Sequence, residues 1–360
     1  MLLYIMCQKE LDKKTINSLK GIGILGVMLV HYGLRASDEL ISGIVFQGAR
    51  GVQLMFIING FLIFHSLSKI EWNRKSILEW WKGKFTRLIP LYWFFTVLYL
   101  AVFGTGSSYY LGTLPRVSGL NILCNLFLLH GFFPYYTNCI NANWFMGVLA
   151  IFYILAPFIY RIINSLEKSI VALFIIAPIT YIMNNLLSAF NVLEVEGIWL
   201  DYVNIISFPA EFPIILLGIF SFFFYRLVCE KELKHKKLIG MSMLFFTIVC
   251  LLSLFLRKDY FVIFNDIFSF GILLTIIFLS QLIYPIFLIK NRILEFIGRH
   301  SYGIYLSHLI VLRYINLFLG EHRNEKIVDI IGYFLLVMIS CVFSVVSENL
   351  IEKKAIKYLK

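Results

Sequence analysis

The chain has 360 residues, 60% of them hydrophobic, 17% aromatic and 15% charged, with 35 Phe and 20 Tyr. A soluble domain holds about 45–50% apolar and about 25% charged residues, so this composition and a mean hydropathy of +0.83 exclude a disordered chain, a coiled coil and a secreted disulfide scaffold. They also speak against an ordinary soluble enzyme, because that many aromatic rings exceed what one water-soluble core encloses.

The formal charge is +11. In a soluble protein this would point to nucleic acid. In a chain this apolar it reads as the positive-inside bias of cytoplasmic loops, with no nucleic-acid partner expected. The N-terminal apolar run Leu2–Met6 is too short for a signal-peptide core. Insertion is therefore expected to rest on the first spanning helix. The six Cys residues (Cys7, Cys124, Cys139, Cys229, Cys250 and Cys341) show no metal-ligand spacing and read as buried thiols.

A bilayer core of about 30 Å needs about 20 apolar residues per helix. That ruler predicts ten spans, at roughly 16–35, 43–66, 88–104, 144–162, 170–188, 204–225, 238–256, 260–288, 301–319 and 327–350. No long polar segment interrupts them. The expected fold is an all-α polytopic membrane helix bundle, one domain over 1–360. Most Lys and Arg residues fall on one side if both termini are cytoplasmic; Arg35, Arg50, Arg116, Arg257, Lys258, Arg313, Arg323 and Lys326 fall on the other. In the stretch 105–143, residues 120–130 are apolar but too few to span, so they predict an interfacial or re-entrant helix on the outer side.

Gly21-x-Gly23-x-x-Gly26 matches a dinucleotide fingerprint by letter. It lies inside a predicted span without a preceding strand, so it reads as small residues that let helices approach. Lys20 and His31 share that span, 11 residues apart. Such residues face nearly the same way, separated by about 16 Å along the axis. Arg50, Asn59, His65, Glu211, Asp266, His308, Arg313 and Glu348 also fall at membrane depth. Polar groups from different helices that converge would make a polar cavity. Lys82-Gly-Lys84-Phe-Thr-Arg87-Leu-Ile-Pro90 opens the third span. Its clustered cations suit either anionic lipid or a phosphate-bearing ligand.

In this order the motifs resemble the membrane acyltransferases of the acyltransferase-3 type, which include polysaccharide O-acetyltransferases. The likeness covers about residues 10–355. Asn17-Ser-Leu-Lys20…His31 is similar to the family's first-helix motif, a basic residue, ten residues and a His. Gly51-Val-Gln-Leu-Met-Phe-Ile-Ile-Asn59-Gly-Phe-Leu-Ile63 resembles its GV-x-L-FF-x-x-SGFLI segment. Lys84-Phe-Thr-Arg87-Leu-Ile-Pro90-Leu-Tyr92-Trp93 resembles its R-x-x-R-x-x-P-x-Y segment. Asn125-Leu-Phe-Leu-Leu-His130-Gly-Phe-Phe-Pro134, Phe208-Pro-Ala-Glu211-Phe-Pro213 and Glu352-Lys-Lys are similar to further family stretches. Gly298-Arg-His-Ser301-Tyr-Gly-Ile-Tyr-Leu-Ser-His308 resembles its GxxSYxIYLxH motif.

The resemblance implies an integral membrane O-acyltransferase in a bacterial cell membrane. Acyl-CoA, usually acetyl-CoA, would be the co-substrate, with no bound cofactor and no metal. A hydroxyl of a cell-surface polysaccharide or its lipid-linked precursor would be the acceptor. His31 is the expected base, since a neutral imidazole can take a hydroxyl proton at working pH. Lys84 and Arg87 are expected on the donor's nucleotide phosphates, and Lys20 on its pyrophosphate or on the carbonyl end of the donor, with Asn59, Trp144, Ser301 and His308 along the substrate cavity. The chain departs from the pattern in three places. Lys20 stands where Arg is usual and Asn59 where Ser is common. Leu149 stands where many members carry Glu in a segment after Trp144. Glu211 is the candidate to supply that carboxylate as a second catalytic residue. The residues also fit two other readings: an inactive relative acting as an assembly partner, and a transporter or flippase of lipid-linked glycan. No internal repeat supports the last.

Overall fold

Lipid offers a backbone no hydrogen bonds, so each long apolar run must satisfy its own by coiling into a helix. The computed structural model describes residues 11–34, 39–105, 117–132, 139–140, 143–190, 200–231, 233–255 and 262–359. Among them the regular backbone is helical, apart from an isolated bridge between Ile263 and Asn265. The helices are α1 (Lys13–Tyr32), α2 (Glu39–Gln47), α3 (Gly51–Leu67), α4 (Arg74–Phe103), α5 (Gly119–Leu126), α6 (Trp144–Ile162) and α7 (Leu166–Ser188). They continue with α8 (Phe208–Glu230), α9 (Lys236–Phe255), α10 (Asp266–Ile283), α11 (Arg292–Arg299), α12 (Ser301–Leu319), α13 (Lys326–Ser347) and α14 (Lys353–Leu359). Short polar side chains mark many of the starts. Asp12, Asn73, Ser118, Ser165, Ser207, Asn265 and Asn291 each accept a first-turn backbone N–H.

Among the described residues, nine helices are long and apolar enough to cross a membrane. They overlap nine of the ten expected spans, but the third begins at Arg74, so Lys82–Pro90 lies within that helix rather than opening it. The tenth, 16–35, folds as α1 but falls short in apolar content, because it carries Asn17, Ser18, Lys20 and His31. Protein replaces lipid around it. It packs on α3, α11, α12 and α13, and Thr15, Ile16, Ser18, Leu19 and Gly21 of its first half are buried. A helix enclosed by protein can carry polar groups that a lipid-facing helix cannot.

Backbone contact through glycine sets this packing. Gly23 lies against Gly51, and Gly26 against Gly48, so a Cβ at any of these positions would meet backbone of the opposite segment. Gly21 meets Leu294 in the same way, and Gly298 meets Asn17. The Gly21-x-Gly23-x-x-Gly26 spacing is thus a helix-packing stripe, as expected. The main core runs through α1, α3, α4, α6, α8 and α12, and includes fully buried Phe56, Phe61, Phe64, Tyr92, Phe95 and Phe152. A smaller cluster of Cys250, Leu254, Phe270 and Leu273 joins α9 to α10.

Of the stretch 105–143, residues 106–116, 133–138 and 141–142 lie outside the described set, as do Pro134 and most of 189–203. The expected short helix is α5, followed by a 3-10 turn over Leu129–Phe132. A buried amide network holds it. Asn143 Nδ2 donates to the Tyr92 hydroxyl at 2.9 Å and to Asn125 Oδ1 at 2.6 Å, and Tyr92 donates to the same Asn125 oxygen at 3.1 Å. The His130 ring stacks on Tyr92. The family-like stretch Asn125–His130 therefore ties α5 to α4 and α6.

Candidate active site

Helix α1 is clamped at both ends. At its start, Lys290 Nζ lies 2.6 Å from Asp12 Oδ2, and Ser18 donates to the Asn291 carbonyl. At its end, Tyr32 donates to the Asp329 carbonyl at 2.7 Å, while Arg323 donates to the Tyr32 carbonyl at 2.8 Å. Arg323 also donates to Asp329 Oδ1 at 3.2 Å, and its guanidinium sits 4.2 Å from the Tyr32 ring centre. Gly33 stops the helix in the left-handed conformation, φ 66°, which favours glycine. His31, next to Tyr32, is held at a fixed height by these bonds.

A cavity of about 310 Å³ opens between α1, α3, α4, α6, α12 and the segment leading into α14. It brings together five of the residues singled out by sequence: Lys20, Asn59, Lys84, Arg87 and Ser301. Lys20 and Arg87 have no hydrogen bond or salt bridge among the described residues. The Lys84 ammonium sits over the Trp80 ring at 5.1 Å and the Tyr153 ring at 5.8 Å. Glu352 is the carboxylate among the lining residues. Three cations around one space, with aromatic faces beside them, form a receptor for a polyanion.

Two stripes of side chains lead away from these cations. On α1, Lys20, Ile24 and Val27 line the cavity at helical spacing, and His31 is the next position on that face. On α12, Ser301 and Tyr305 line it, and His308 follows. The two helices run in the same direction, since Lys20 and Ser301 share the cavity and the rings of His31 and His308 meet 5.3 Å apart. Neither imidazole lines the cavity itself; both stand one turn beyond its Val27 and Tyr305 wall.

Trp144 is not among the lining residues. Its ring lies 6.0 Å from Phe56, while the next residues, Phe145 and Met146, face the cavity. Glu211 is fully buried elsewhere. It accepts from Gln53 Nε2 at 2.8 Å. Gln53 lies on the face of α3 that packs on α8, whereas Val52, Met55 and Asn59 line the cavity. The structure thus gives Glu211 an amide partner, and Glu211 is not among the cavity's lining residues. Leu149 does line the cavity, so the position that is Glu in many relatives is an apolar wall here.

Sequence reading missed Tyr153, Tyr302, Tyr305 and Glu352 as lining residues. The Tyr302 hydroxyl donates to the Leu88 carbonyl at 2.7 Å, which fixes the backbone one residue past Arg87. The 301, 305, 308 spacing carried the signal for Tyr305. Glu352 falls in the family-like Glu352-Lys-Lys stretch, but its place on the cavity depends on how the segment after α13 meets α4.

The Acyltransferase domain family matches residues 13–348. The chain belongs to the acyltransferase-3 family. Three curated relatives, from Staphylococcus aureus strains COL, MSSA476 and N315, are each 22% identical over 373 aligned positions and bear the name of candidate O-acetyltransferases. Each alignment takes in 96% of this chain but 58% of the relative, so the chain spans about three fifths of the length of the curated relatives it matches. No solved structure matches the chain. The family and the apolar helices together make it a multi-pass membrane protein.

Proposed function

We propose that the chain is an O-acyltransferase that moves an acyl group, acetyl in the first instance, from acyl-CoA to a hydroxyl of a cell-surface polysaccharide or its lipid-linked precursor. Family membership and the names of the relatives support acyl transfer. The observation that carries the donor is the cavity. Lys20, Lys84 and Arg87 surround one space, and an apolar strip of Ile24 and Val27 leads from it toward His31.

The donor's phosphates sit on the three cations. Its pantetheine arm, comparable in length to the roughly 16 Å between Lys20 and His31, runs along the strip. Asn59 and Ser301 offer hydrogen bonds to its amides. The thioester then reaches His31, which takes the proton from the acceptor hydroxyl. The new C–O bond forms, the C–S bond breaks, and the proton passes to the departing thiolate. With both termini cytoplasmic, the cation end opens to the cytoplasm, where acyl-CoA is made, in a bacterial cell membrane. The outer end receives the glycan.

A second reading, an inert relative that assists another enzyme, draws on Leu149 in the cavity wall. One experiment separates the two. Surface glycans are compared by mass spectrometry in cells with wild-type protein, with His31→Ala, and with the gene deleted. A gain of one acetyl mass per repeat, confined to wild type, is the expected result. An acetyl pattern that is identical in all three strains contradicts the proposal.

A further inference from the structure

His308 is buried, 1% exposed, at the end of the α12 stripe. Its Nδ1 lies 2.7 Å from the Tyr305 carbonyl oxygen. A carbonyl can only accept, so Nδ1 carries the ring proton and donates it. That leaves Nε2 as the bare acceptor, and it has no hydrogen-bond partner among the described residues. A buried acceptor left without a donor is costly, and a helix that needed only to fill space would carry an apolar ring there. The imidazole beside it is that of His31, 5.3 Å away between centroids and tilted by 46°. The Tyr305 ring centre lies 6.0 Å from that of His308, and the Tyr305 ring also meets Phe145.

We propose that His308 is a positioning residue for His31. Its Nε2 receives an N–H from the His31 ring while that ring holds the proton taken from the acceptor hydroxyl. The inference rests on His31 being the base. The acceptor O–H gives its proton to His31, the C–O bond forms and the C–S bond breaks. The proton then leaves His31 for the thiolate sulfur. The Nδ1 proton of His308 stays on the Tyr305 carbonyl throughout, so His308 gains and loses nothing over a cycle. Its function is to hold the charged ring in place between uptake and release, as a fixed partner does for other catalytic imidazoles.

Two variants separate the lone pair from the shape of the side chain. His308→Gln places an amide oxygen where Nε2 stands. His308→Asn keeps a donor for the Tyr305 carbonyl but has nothing at the Nε2 position. Each is purified into lipid nanodiscs and given acetyl-CoA with surface glycan from cells lacking the gene. Thiol release gives turnover, and titration gives acetyl-CoA affinity. The expected result is a fall in turnover of roughly tenfold to hundredfold for Asn, a much smaller one for Gln, and unchanged acetyl-CoA affinity in both. Asn turning over like wild type, or Gln as slow as Asn, overturns the inference. Wild type releasing no thiol would instead overturn the function proposed above, so the two failures are distinguishable.

Discussion

Helices α7 and α12 are both long and apolar, yet they sit in opposite surroundings. Of the span that contains α12, Ser301–Arg323, 61% of the apolar window is buried inside the protein; of α7, 11% is. Helix α7 presents Phe174, Ile175, Ile179, Ile182 and Leu186 outward, where lipid would lie. Helix α12 places Ser301, Ser307 and His308 inside, and α1 beside it encloses Thr15 and Ser18. The contrast shows where chemistry can live in such a bundle. Polar groups gather on helices that protein has already removed from lipid, and the most lipid-like helices serve as a wall.

The sharpest way to break this contrast is to exchange one side chain on each side of it. His31→Ala is expected to remove acyl transfer by about a hundredfold or more, the usual scale for a general base. Phe174→Ala on α7 is expected to leave it within about twofold, since Phe174 is 79% exposed. Glycan acetylation measured by mass spectrometry reads both. Equal effects would remove the distinction between wall and core.

The cation end tests the same contrast by charge. Lys20→Ala is expected to raise the acetyl-CoA KM by about tenfold while Lys20→Arg holds it near wild type, because the positive charge is what a phosphate reads. A kcat loss with KM unchanged would place Lys20 in the chemical step instead. The packing stripe gives a third arm. Gly51→Leu pushes a side chain into the Gly23 backbone and is expected to cost about 1–3 kcal/mol of stability. Thermal unfolding in detergent measures it, with a Gly83→Leu control, since nothing lies within 4 Å of a Cβ at Gly83.

Smaller effects are expected further from the stripe. Glu211→Gln keeps an acceptor for Gln53 and leaves glycan acetylation close to wild type. Loss of activity on the scale of His31→Ala would make Glu211 a catalytic residue. The weakest lever is Asp12. Burial alone would raise its carboxyl, but the hydrogen bonds from Lys290 and Thr15 hold it below its ordinary value of 3.8. A lowered folded-state value adds stability above the ordinary range and loses it as pH falls. Melting temperature is therefore expected to drop slightly more in wild type than in Asp12→Asn as pH falls from about 5 to about 3. The difference is small because both side chains of the pair are more than a third exposed.

Much of this arrangement was legible in the sequence, for identifiable reasons. The bilayer ruler found nine helices because lipid-facing runs must be apolar. It also drew a tenth at α1, where the helix is real but its apolar content is lower, since protein surrounds it. Lys20 and His31 share a face through helical arithmetic, and the cavity lining follows that face. Lys84 and Arg87 join them from a separate helix, which motif order suggested and spacing alone could not. The carboxylate missing at Leu149 points to Glu211, but its hydrogen bond to Gln53 on the α8-facing side of α3 is encoded in no one-dimensional pattern. The meeting of His308 with His31 also needed the structure, because it depends on α1 and α12 running the same way.

On the proposed function, the cavity of Lys20, Lys84 and Arg87 receives the donor. Equilibrium binding of radiolabelled acetyl-CoA to the purified protein in nanodiscs tests it most directly, comparing wild type with a variant in which all three residues are Ala. Wild type is expected to bind saturably, the triple variant to lose that binding, and His31→Ala to bind like wild type. Acetyl-CoA binding equally well to the triple variant would contradict it.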